Sequence, residues 1–140
     1  MTRQSPDEAI AGALITRLRS SSGVTALVSS RSFTQVSSTE AKPYVKVNFP
    51  TGRRVDTASR YGAHTLVDVI AVSDGQSERT GVRVRSAAIQ ALNAQTLSLT
   101  SPHQMLGLTW ETNVELDEVI NGVTTFQHIA TFRVWTEQTA

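Results

Sequence analysis

No cysteine occurs among the 140 residues. Disulfide scaffolds, thiolate zinc sites and a cysteine nucleophile are thereby excluded, and folding in a reducing cytosol is the expectation. Net charge is also lacking. Thirteen basic against 12 acidic residues leave +1, too little for an overall electrostatic footprint on nucleic acid. Aromatics make up only 6% of the chain, so platforms on which bases could stack are scarce. No run approaches the ~20 apolar residues a membrane-spanning helix needs, and the opening MTRQSPDEAI has no apolar signal segment. A soluble intracellular protein without a membrane partner is expected. What is present is 39% hydrophobic residues and much Ser and Thr. The length suits one domain over residues 1–140, since domains commonly run to ~100–150 residues, and it allows a core without disulfides or metal.

The segment SPDEAIAGALITRLRS predicts a helix. Ser5 can cap it, Pro6 fits the first helical position and Glu8 completes a capping box. Ile10, Leu14 and Leu18 recur every fourth residue, with Ala11 and Ile15 beside them. GVTALVSS adds a short further turn. KPYVKVNF predicts a strand with Val45, Val47 and Phe49 on one face. PTGRRVDTASRYG is rich in turn formers and reads as a long loop or hairpin tip bearing Arg53, Arg54 and Arg60. AHTLVDVIAV is apolar on both alternating faces, the pattern of a strand in the middle of a sheet.

VSDGQSERTG, from Val72 to Gly81, then joins that strand to a helix, as a phosphate-binding loop would. A Walker loop places Lys and Ser or Thr after its second glycine; here Val82 and Arg83 follow Gly81. GxGxxG is absent as well. A plain strand-to-helix connection remains, in which Ser73 or Asp74 ends the strand and Ser73 or Ser77 caps the helix. Gly81, Val84, Ala88, Ala91 and Leu92 would form its packing stripe.

From Leu106 to Ile120 the even positions are largely apolar, while the odd ones carry Glu111, Glu115 and Asp117. Asn121-Gly122 is a strong hairpin signal, and VTTFQHIATFRVWTE supplies the returning strand. With a two-residue turn, Trp110 lies opposite Arg133, Val114 opposite Ile129 and Glu115 opposite His128; a bulge would shift these pairs. The fold class expected is α+β: a mainly antiparallel sheet with a long C-terminal hairpin and two helices packed on one face. The acidic odd face would then be left toward solvent or another subunit.

Catalytic equipment is hard to find. His64, His103 and His128 lack metal-ligand spacing, and no G-x-S-x-G elbow occurs. Asp68 stands on an apolar strand, where pairing with an arginine or a place near a sheet edge is expected. No cofactor, metal or nucleotide is called for. The arginine cluster is either a solvated loop or a contact with an acidic partner surface.

The ordered set of SPDEAIAGALITRLRS, AKPYVKVNF, HTLVDVIAVSDGQSERTGVRVRSAAIQAL and WETNVELDEVINGVTTFQHIATFRVWTE resembles the small tail terminator (tail completion) proteins of long-tailed phages and prophages. That resemblance implies no catalysis. It implies a virion structural protein of the tail–neck region, assembled in the host cytoplasm. Such proteins form a ring, usually a hexamer, that caps the tail tube, ends its polymerisation and offers a docking surface to the head connector. DNA passes through the channel without specific binding. Arg53, Arg54 and Arg60 become candidates for the subunit or tube interface. Glu111, Glu115 and Asp117 would line the channel, repelling phosphate, or pair with a neighbour's arginines. A head-closure or adaptor ring of the neck is the alternative; a small ligand-binding or hydrolase domain is a more distant one.

Overall fold

A computed structural model describes residues 4–36, 41–54, 61–74, 78–120 and 122–138. The described fold is α+β. Helix α1 (Asp7–Ser20) buries Ile10, Leu14 and Leu18 completely, the stripe its four-residue spacing dictates. Its start departs from the capping box. Pro6 itself is the N-cap and no side chain caps the helix, so Ser5 stands one position too early for the role. Ile10 N–H instead closes the first turn on the Pro6 carbonyl at 2.9 Å. At the other end Arg17 and Arg19 tie α1 to its surroundings. Arg17 Nε donates to the Ala91 carbonyl at 2.9 Å, and Arg19 to the Ser32 carbonyl at 2.8 Å. Helix α2 (Ser22–Val28) buries Val24 and Val28, so the helical layer has three members rather than two.

One five-stranded sheet runs in the order β1-β2-β3-β5-β4. Its strands are β1 (Ser32–Phe33), β2 (Tyr44–Arg54), β3 (Tyr61–Asp74), β4 (His103–Ile120) and β5 (Val123–Gln138). Only the two-residue β1 pairs in parallel; every other neighbour is antiparallel. AHTLVDVIAV is indeed the central strand. The loop expected from PTGRRVDTASRYG is shorter than its composition suggested. β2 runs on through Arg54, with Arg53 opposite His64 and Arg54 opposite Ala63. Pro50 does not end the strand because the register shifts between Asn48 and Thr51, the kind of bulge at which a missing N–H is tolerated. Arg60 lies outside the described residues.

Helix α3 (Glu78–Leu92) follows β3. Asp74 closes the strand, and Ser73 is buried within it; Ser77 is outside the described residues. Val84, Ala88, Ala91 and Leu92 are buried as their spacing requires. They pack with α1, α2 and the covered face of the sheet, where Val67, Val69, Ala130, Phe132 and Val134 complete the core.

The hairpin turn brings Ile120 opposite Val123, and Gly122 holds φ at +79°, a conformation glycine adopts without strain. Asn121 lies outside the described residues. Counting back from the turn gives Val114 opposite Ile129 and Glu115 opposite His128. Trp110 faces Phe132 instead of Arg133, because the register slips between Trp110 and Thr112; a second slip falls between Met105 and Gly107. Each slip exchanges the two faces of the strand. Met105 and Leu108 are consequently both core residues, whereas Val114 and Leu116 lie 47% and 54% exposed. This corrects the expected polarity. From Thr112 onward the odd positions, among them Glu115 opposite His128, face the helical side, and the apolar even ones stand on the open face.

Candidate assembly surfaces

Beneath the first turns of α3 the chain buries a polar cluster. Gly81 is buried against His128 and Ser73, and His128 is itself 1% exposed. Arg85, one residue along from the apolar stripe at Val84, is buried too. It donates from Nη2 to Glu115 Oε1 at 2.7 Å, with side chains 9% and 54% exposed. The Arg85 guanidinium, first by this hydrogen bond and then by its charge, holds the Glu115 carboxyl below its ordinary value of 4.5; His128 contributes less, and burial opposes the shift. The expected cross-strand partner of Glu115 is thus the right neighbour in register but not its main contact.

A pH dependence follows. Because the folded-state value of Glu115 lies below the unfolded one, its stabilisation is complete above 4.5 and is lost as pH falls through the folded value. Glu115→Gln is therefore expected to melt below the native protein at pH 7, with the gap closing at acid pH. Thermal melts across pH 3 to 7 check this. A gap that stays constant would show that the pair contributes no titrating stability.

The open face of the sheet is laid out in rows. Lys46, Ile70, Ile129 and Val114 form one; Asn48, Asp68, Thr131 and Thr112 form the next. Among the described residues Asp68 has no arginine partner, and its strand is central rather than at an edge. It sits half-buried on the central strand and accepts a hydrogen bond from Thr131 Oγ1 at 2.7 Å, since Thr131 is the residue the β3–β5 register sets opposite it. Further along, His64 stacks on Trp135 with ring centroids 4.9 Å apart, and Trp135 remains 47% exposed. With Val114, Leu116 and Val123 also exposed, this face carries more apolar surface than solvent alone explains.

The two sheet edges differ. β4 is covered over its first half, where Ala94 N–H donates to the Leu108 carbonyl at 2.9 Å and Asn93 Oδ1 accepts from Trp110 N–H at 3.0 Å. From Thr112 to Ile120 no described strand pairs with its outer edge. β2 is paired by β1 only at Val45 and Lys46, and from Val47 to Arg54 no described strand covers it.

The acids proposed for one surface are divided among three environments. Glu111, at the bulge, accepts from Arg133 Nε at 2.7 Å; Glu115 is held by Arg85; Asp117 is exposed, as is Glu118 beside it. Arg53 and Arg54 stand at the end of β2. Arg85 was missed in the sequence. Its signal was a charged residue adjoining a helix's buried stripe, with an acid across a strand to meet it.

No three His, Asp or Glu side chains among the described residues are grouped to hold a metal ion. An open depression between α1 and residues 97–100 is lined by Ala9, Gly12, Thr16, Ser98 and Thr100, with Arg17 as its ionisable member. Arg17 is already bonded to Ala91. Polar groups here hold elements together, and the surfaces left open are sheet edges and a sheet face, the features of a structural subunit. The chain belongs to the tail completion protein gp17 family, whose model matches residues 12–137. It is a structural protein of a virion tail. No curated protein matches it. Among solved structures it is similar to a chain of the virion of a native gene transfer agent particle. The TM-score is 0.80 and the identity 18%, over 95% of this chain and 99% of that one, a likeness of fold.

Proposed function

We propose that this chain closes into a ring, six-fold as is usual for such proteins, that caps the end of the tail tube and stops its polymerisation. Its other side receives the head-side connector at the neck, and DNA passes through the channel without specific binding. Membership of the tail completion family carries this reading. The surfaces fit it physically. A head-to-tail ring needs two different patches on one subunit, and the sheet offers two unlike edges. The role is mechanical, with no reaction catalysed and no cofactor held.

Purified protein mixed with isolated tail tubes is expected to seat at one end only and to block further addition of tube subunits. Binding along the tube wall, or at neither end, would contradict the proposal.

A further inference from the structure

Every charged side chain of β2 is basic: Lys46, Arg53 and Arg54. Apart from His103, every ionisable side chain of β4 is acidic: Glu111, Glu115, Asp117 and Glu118. These two strands flank opposite sides of the same sheet, with only the short β1 beyond β2. Their unpaired stretches, Val47–Arg54 and Thr112–Ile120, are of nearly equal length, and each carries adjacent charges of one sign; the first is interrupted by Pro50 and the register shift between Asn48 and Thr51, so its free donors lie on either side of that point. Within Thr112–Ile120, Glu115 is bound to Arg85, while Asp117 and Glu118 are exposed and have no ion-pair partner among the described residues.

A long strand edge with free N–H and C=O groups is a template for another chain, and proteins usually blunt or cover it. On the first half of β4 two bulges and the Asn93–Ala94 segment do so. The second half has neither device. It shows instead a regular run with Val114, Leu116 and Val119 exposed, the last at 68%. Its acids would repel a second acidic edge and attract a basic one, which selects the partner by sign.

We propose that the Thr112–Ile120 edge of one copy docks on the Val47–Arg54 edge of the next copy. The occupant of each open edge is a second copy of this chain. The two edges are complementary in charge and cannot meet within one sheet. Because the two edges differ, the contact is heterologous and repeats from copy to copy until it closes. The inference rests on the ring reading and adds which surfaces make the ring.

Two charge-reversed proteins test it, Asp117→Lys/Glu118→Lys and Arg53→Glu/Arg54→Glu, each first checked for native circular dichroism and melting. Ring assembly is read on isolated tail tubes, from images of the tube ends and the mass of the cross-linked rings. Each reversed protein alone is expected to lose assembly, since like charges meet at every contact. An equimolar mixture should restore it, in rings holding the two in equal numbers, because only alternation pairs opposite signs. If either reversed protein alone forms rings as the native one does, the edges are not the interface, although the ring stands. If both fail and the mixture fails too, the pairing is equally refuted. Should the native protein form no ring on tubes, the ring reading falls and this inference with it.

Discussion

Gly81→Val is expected to destabilise the protein by about 3 kcal/mol, the upper part of the range for overpacking a filled interior. At this chain length that corresponds to a melting temperature lower by roughly 10 °C. The reason is local. A Cβ built on Gly81 would collide with Nδ1 of His128, and would lie 2.7 Å from its Cε1 and 2.9 Å from Ser73 Oγ. Neither neighbour is a flexible chain end that can swing aside. His128 stands on β5, 1% exposed, and Ser73 on β3, 2% exposed. Glycine in a helix interior ordinarily costs up to about 1 kcal/mol against alanine, so its presence in α3 reflects this close approach. Gly81→Ala recovers that propensity and should lose less than Gly81→Val. Combining Gly81→Ala with His128→Ala should cost less than the sum of the two changes, because the collision is removed; contacting residues are where additivity fails. Melts of the single and double variants measure this, and simple additivity would place the crowding elsewhere.

That same contact shows why part of the structure was legible beforehand and part was not. Turns and periodic stripes are local, so Ile10, Leu14 and Leu18, the Gly122 turn, and the pairs Val114–Ile129 and Glu115–His128 could be counted from neighbouring residues. Bulges are not signalled in the same way. One extra residue near Glu111 moved Trp110 from Arg133 to Phe132, and with the slip near Leu106 it let Leu108 join Met105 in the core. Pro50 and Gly52 made β2 look finished at Phe49, yet pairing with β3 carried it to Arg54. Arg85 could not be singled out, because its burial depends on Glu115, 30 residues away in sequence. The candidate surfaces suffered most from this. An acidic face read from alternation became three acids in different settings, and an arginine loop became, in part, a strand end.

In the proposed function the protein ends growth of the tube. A tail tube is an open-ended polymer. Each added ring presents the surface that receives the next, so growth continues until something binds that surface without recreating it. In the ring proposed above, a subunit with helices on one side of its sheet and none on the other would give the ring two unlike surfaces, of which one would match the tube and the other would not. The decisive measurement is the length distribution of tail tubes in particles assembled without this protein, taken from electron micrographs. Full heads without tails are expected, together with tubes of irregular and often excessive length. Tubes of normal, uniform length that merely fail to join heads would contradict the proposed function, and would move the protein to the head side of the neck as an adaptor.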